Sequence, residues 1–108
     1  MKILFDNGTP APIADSLVGH TVERARQIGW ETLKNGDLIQ QAEQAGYDVL
    51  LSTDKNMKYQ QNLKGRKIAI LVLGNQQWPV VRRYLDRISA AVNTATPGSY
   101  SEIEIPRL

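Results

Sequence analysis

The chain has 108 residues, the length of one domain, and 1–108 reads as a single domain. It is 42% hydrophobic and 22% charged, and its 13 Lys plus Arg against 11 Asp plus Glu make it mildly basic, which permits nucleic-acid contact without requiring it. The absence of cysteine excludes disulfides, thiolate zinc sites and cysteine nucleophiles and fits a reducing cytoplasm, and the lone His20 excludes a histidine-rich metal site.

Residues 2 to 5 predict a first strand, wholly apolar over Ile3-Leu4-Phe5 and followed at once by Asp6. This apolar stretch is too short for a signal peptide, and no run in the chain approaches membrane-spanning length. Asn7-Gly8 is a turn signal, and Pro10 or Pro12 suits the first turn of a helix reaching about Leu17. His20-Thr21-Val22 reads as a short second strand, although Glu23 to Gln27 is equally compatible with a helix. Asn35-Gly36-Asp37 opens the clearest helix of the amino-terminal half. Leu38, Ile39, Ala42 and Ala45 recur at helical spacing, and Gly46 supplies the stop.

Asp48 to Ser52 predicts the third strand and Lys55 to Asn62 a loop or one short helix. Lys64-Gly65-Arg66 is a turn. Lys67 to Leu73 is the strongest strand, apolar on both faces and therefore interior to a sheet. Gly74 to Gln77 is a loop. Pro79 starts a long amphipathic helix with Val80, Val81, Tyr84, Leu85, Ile88, Ala91 and Val92 as its stripe, and Thr96-Pro97-Gly98 ends it. Ser101 to Ile105 alternates like an edge strand. Strands alternating with helices predict an α/β protein of three layers, α/β/α, with a mostly parallel central sheet.

In such sheets ligands bind beyond the carboxyl ends of the strands. Asp6 follows the first strand, Asp54 the third, and Asp37 begins the helix leading into the third. If the first and third strands are neighbours, the three carboxylates can meet at one rim. An oxygen-only set suits Mg²⁺ or Mn²⁺, and the chemistry such an ion supports is phosphodiester hydrolysis. Each acid also has a plainer role: Asp6 in an Asx-turn, Asp37 in a first helical turn capped by Asn35, Asp54 as a cap for the next segment of chain. Glu23 and Glu31 are candidates for a fourth acid, although a surface position suits each of them better.

Beyond Asp54, Asn56 and Tyr59-Gln60-Gln61-Asn62 bring amides and an aromatic ring that can hydrogen-bond and stack on unpaired bases. Lys55, Lys58, Lys64, Arg66 and Lys67 add positive charge able to hold a phosphate backbone. A solvated polar loop accounts for the same residues. His20 reads as structural, and Ser16 and Ser52 lack the partners that mark a nucleophile.

The acidic pattern of Asp6, Asp37 and Thr53-Asp54 resembles that of PIN domains. The longer segments Asp6-Asn7-Gly8-Thr9-Pro10, Gly19-His20-Thr21-Val22, Gly29-Trp30, Leu33-Lys34-Asn35-Gly36, Thr53-Asp54-Lys55-Asn56-Met57, and Tyr59-Gln60-Gln61-Asn62-Leu63 followed by Gly65-Arg66-Lys67-Ile68-Ala69-Ile70 are similar to a small family of short bacterial PIN-like proteins of unknown function. The resemblance runs to about Trp78-Pro79. It implies a PIN-like fold and an Mg²⁺- or Mn²⁺-dependent ribonuclease, as in many toxins of toxin–antitoxin pairs, with RNA and a cognate antitoxin as partners. Asp6, Asp37 and Asp54 match the acidic positions. Asn56 stands where many PIN domains carry a further acid, and an amide binds a cation more weakly than a carboxylate.

The expectation is therefore a cytoplasmic PIN-like nuclease. Asp6, Asp37 and Asp54 hold the metal, and Lys55, Asn56, Lys58, Tyr59, Gln60 and Arg66 hold RNA. A degenerate PIN-like module that binds RNA or protein without cutting is the alternative. A small phosphatase-like or receiver-like protein is a third. A homodimer is compatible with the exposed part of the carboxy-terminal helix.

Overall fold

The computed structural model describes residues 1–59 and 65–106, the side chains of 58 and 59 excepted. Five strands, β1 (Lys2–Phe5), β2 (Thr21–Arg24), β3 (Val49–Ser52), β4 (Ala69–Leu73) and β5 (Tyr100–Ile103), form one sheet in the order β2-β1-β3-β4-β5. Every neighbouring pair is parallel, so the sheet is wholly rather than mostly parallel. The ambiguity over Glu23 resolves as strand, because β2 pairs with β1 as far as Arg24 opposite Phe5.

The inner strands β1, β3 and β4 are apolar almost throughout because helices cover both faces, whereas the outer strands β2 and β5 carry polar residues. Ile3 and Phe5 of β1, Val49 and Leu51 of β3, and Leu71 and Leu73 of β4 enter one core. Leu4, Leu50, Ile70 and Val72 enter the other. This is the period-two alternation of a strand with both faces covered. On the first face pack a 3-10 helix, Ala11–Ser16, and the carboxy-terminal helices α2 (Trp78–Val81) and α3 (Leu85–Thr94), through Ile13, Val80, Val81, Ile88 and Val92. The expected single long helix is broken by a 3-10 turn over Arg82–Tyr84, with Pro79 in the first turn of α2. On the second face lies α1 (Asn35–Gln44), through Leu38, Ile39 and Ala42.

α1 ends as its glycine predicts. Gly46 has φ +86°, its N–H bonds Glu43 O at 3.1 Å, and Tyr47 N–H bonds Ala42 O at 3.0 Å. These paired bonds form a Schellman cap, which satisfies two carbonyls the helix leaves open. The amino-terminal end departs from expectation: Lys34 is the cap, Asn35 is the first helical residue, and no side chain bonds the open N–H groups.

Among the described residues, no helix is long and apolar enough to cross a membrane.

Candidate functional site

Chain order reverses between β1 and β3: β2 lies outside β1, and β4 and β5 continue beyond β3. A doubly wound sheet opens a crevice at such a switch point, beyond the carboxyl ends of the strands. Asp6 follows β1 there, and Thr53-Asp54 follow β3. Alternation decides their direction. Phe5 and Leu51 point to the α2–α3 face, so Asp6 and Ser52 are the next positions on the α1 face. α1 starts at this same rim and carries Asp37 in its first turn. Asp6, Asp37 and Asp54 therefore line one open cleft of about 640 Å³, together with Gly8, Lys34 and Thr53.

The cleft floor is tightly bonded. Asp6 N–H and the Thr9 hydroxyl both donate to Leu51 O, each at 2.9 Å, extending the β1–β3 junction past Phe5. Asn7 Nδ2 donates to Glu31 O at 2.7 Å and ties the segment before α1 to the turn after β1. Gly8 packs closely on Thr53: a Cβ there would stand 2.5 Å from Thr53 Oγ1 and would have to displace that hydroxyl.

Ser52, fully buried, joins two of the acids. Its hydroxyl donates to Asp6 Oδ2 at 2.8 Å and accepts Asp54 N–H at 3.0 Å. Asn7 N–H donates to Asp6 Oδ1 at 2.7 Å. Asn56 N–H donates to Asp54 Oδ1 at 2.9 Å, so Asp54 caps the 3-10 helix Lys55–Tyr59. The plainer role is thus real for Asp54, while its carboxylate still borders the cleft. Asp37 is exposed on the first turn of α1.

An ion is tested by these donors. Carboxylate oxygens suit hard Mg²⁺ or Mn²⁺, and each oxygen of Asp6 that accepts one hydrogen bond retains a further lone pair. Among the described residues, however, no three Asp, Glu or His side chains come close enough to hold one ion together. The fit is to a cation that keeps several waters and takes one or two carboxylates, as Mg²⁺ does.

The remaining expected residues divide. Lys55 lines a neighbouring cavity of about 500 Å³, and Asn56 is exposed on the same 3-10 helix. The side chains of Lys58 and Tyr59, and Gln60 altogether, lie outside the described residues. Arg66 precedes β4 and so stands at the amino-terminal edge of the sheet, away from the acids. There its Nη1 lies 3.2 Å from Glu43 Oε1. Glu43 Oε2 also accepts Lys67 N–H at 2.7 Å and Ile68 N–H at 3.4 Å. The Lys67 bond above all, with Ile68 and Arg66 adding to it against the effect of burial, holds the Glu43 carboxyl below its ordinary range. Arg66 is a clamp between α1 and β4. Glu23 is likewise structural, accepting the Tyr47 hydroxyl at 2.9 Å, and burial with this bond lifts Tyr47 to about 12.

Three residues of the site were not picked out by sequence as site residues: Ser52, Lys34 and Gly8. Ser52 had a detectable signal, because Ser two residues before Asp54 and Asp54 two before Asn56 are the spacings of successive ST- and Asx-turns. Gly8 showed as a turn glycine, and both Gly8 and Lys34 stood within segments that carry the resemblance without a role of their own. Comparison of the chain with protein-family models, characterised proteins and solved structures finds no match.

Proposed function

We propose that this protein is a PIN-like, Mg²⁺- or Mn²⁺-dependent nuclease that hydrolyses RNA phosphodiesters, acting as the toxin of a toxin–antitoxin pair. The observation that carries this reading is the cleft at the β1–β3 switch point, lined by Asp6, Asp37 and Asp54 from three separate elements. The likeness of its segments to short PIN-like proteins supplies the RNA and toxin parts.

Asp6 and Asp54 would hold the ion, with Asp37 facing it from α1. When bound, the ion lowers the pKa of a coordinated water and stabilises charge on the phosphoryl oxygens. Ser52 keeps Asp6 oriented through its 2.8 Å bond. Lys34 on the cleft wall and Lys55 beside it offer positive charge to the phosphates flanking the scissile bond. No residue of this chain needs to form a covalent intermediate.

Asp6→Asn and Asp54→Asn should each abolish RNA cleavage and Mn²⁺ binding while leaving the fold intact, measured by gel assay, calorimetric titration and circular dichroism. Full activity in either variant ends the proposal.

One observation favours a second reading, a degenerate module that binds RNA or a partner protein without cutting it. The described acids do not close around one ion, and Asn56 stands where the PIN resemblance implies a further acid. Mn²⁺ titration separates the two: saturable binding supports the enzyme, and its absence supports the module.

A further inference from the structure

The second cavity, of about 500 Å³, opens beside the acid cleft and shares Thr53 with it. Its volume falls within the range of small-ligand sites. It is lined by Lys55 and by the consecutive amides Asn75, Gln76 and Gln77 on the loop after β4. Gly74, where that loop begins, packs closely on backbone: a Cβ there would meet Ile105 N at 3.1 Å and Ile103 O at 3.3 Å, and Gly74 N–H bonds Ile103 O at 2.9 Å. The loop is thereby seated against the segment that ends β5. Asn75 Oδ1 accepts Gln77 N–H at 2.9 Å, which fixes the loop's path and orients the Asn75 amide.

The side chains of Gln76 and Gln77 are exposed, and among the described residues neither their amides nor the Lys55 ammonium bond a protein partner. Gln76 Oε1 lies 3.4 Å from where a Gly8 Cβ would stand, so this amide overhangs the turn that carries Asp6. Among the described residues, the groove thus presents amide donors and acceptors in series beside the Lys55 cation, and its lining includes no carboxylate. Neutral amides that both donate and accept match the edge of a nucleobase, and Asn or Gln pairs bidentately with adenine. Unpaired RNA bases are read along such edges.

We propose that the groove of Asn75, Gln76 and Gln77 is a base-reading subsite that seats an adenine of single-stranded RNA next to the phosphate held at the acid cleft, with Lys55 on the adjoining backbone. The choice of RNA rests on the nuclease reading; the choice of a base edge rests on the amides.

The test uses fluorescently labelled oligouridine decamers carrying a single A, G, C or U at a central position. Binding is measured by anisotropy in EDTA, and cleavage is mapped in Mn²⁺. The wild type should bind the adenine oligomer about tenfold or more above the others, the discrimination one bidentate amide–adenine pair supplies. The double variant Gln76→Ala, Gln77→Ala alters only exposed side chains, and circular dichroism checks its fold. It should lose that preference and still bind all four oligomers weakly. Equal wild-type binding to the four oligomers, or an unchanged preference in the double variant, overturns the subsite. Competition by adenosine monophosphate at the oligomer's own concentration overturns the strand as occupant. Cleavage without base preference removes the subsite and leaves the nuclease standing. Base preference without cleavage, lost in the double variant, does the reverse.

Discussion

Ser52 shows how one buried hydroxyl can set the geometry of two carboxylates. It donates to Asp6 and accepts from the backbone of Asp54, so the ends of β1 and β3 are bonded through a single oxygen. Ser52→Ala leaves Asp54 N–H without its acceptor and removes one of the two hydrogen bonds that hold the Asp6 carboxylate, leaving that from Asn7 N–H. The expected loss is about 1–3 kcal/mol of stability, the penalty of a buried unsatisfied polar group. Mn²⁺ affinity should fall as well, although Ser52 itself need not touch the ion. Urea unfolding and calorimetric titration of the variant check both effects. Stability and Mn²⁺ affinity equal to wild type would show that Ser52 orients nothing. Asp54 teaches a related lesson: its carboxylate caps the following 3-10 helix and borders the cleft at once, so a structural role does not subtract it from the site.

α1 connects the two edges of the sheet. Its first turn brings Asp37 to the acid cleft, and its last turn brings Glu43 to Arg66, Lys67 and Ile68 before β4. Glu43 therefore ties the helix to the sheet at the edge opposite the site. Its carboxyl is held below the ordinary value of 4.5, chiefly by the Lys67 N–H. The folded state then binds fewer protons than the unfolded state in the acid range, so stability rises with pH there. The contribution is full above 4.5 and is lost as pH falls through the lowered value of the folded state. Glu43→Gln should be less stable than wild type at neutral pH, and the difference should shrink on acidification below 4.5. Denaturant midpoints measured from pH 7 down to acid conditions check this, and a difference that stays constant with pH removes the role of the charge. The 3-10 break between α2 and α3 lets Val80 and Val81, then Ile88 and Val92, reach the same core across a change in helix geometry.

Across the molecule, two cores share one sheet, and no strand of its centre belongs to only one of them. Leu50 faces the α1 layer and Leu71 the α2–α3 layer, and both are buried on adjacent, paired strands. Leu50→Ala and Leu71→Ala should each cost about 2–5 kcal/mol, the range for cavities in well-packed cores. Both should unfold in one transition seen alike by far-ultraviolet circular dichroism and tryptophan fluorescence, because strands common to both layers couple them. Separate transitions for the two variants would mean that the layers are independent.

Local patterning was enough to place β1, β3, β4 and β5, the helix over residues 35–44 with its glycine stop, and the α/β class, because these arise from apolar periodicity and from turn chemistry that neighbouring residues carry themselves; the extent of β2 was decided by its pairing with β1. The position of Asp6 and Asp54 just past their strands came from the same pattern. Neither the adjacency of β1 and β3 nor the switch point between them could be read from the chain, since parallel pairing joins residues such as Leu4 and Leu50 that no local signal relates. Arg66 and Lys55 look alike as basic residues near Asp54, yet β4 must run parallel to β3, which carries Arg66 to the far edge and leaves Lys55 beside the cleft. Ser52 and the amide loop after β4 gained their places only when folding set three chain segments against one another, because a cleft is made by distances between strands and not by the order of residues along them.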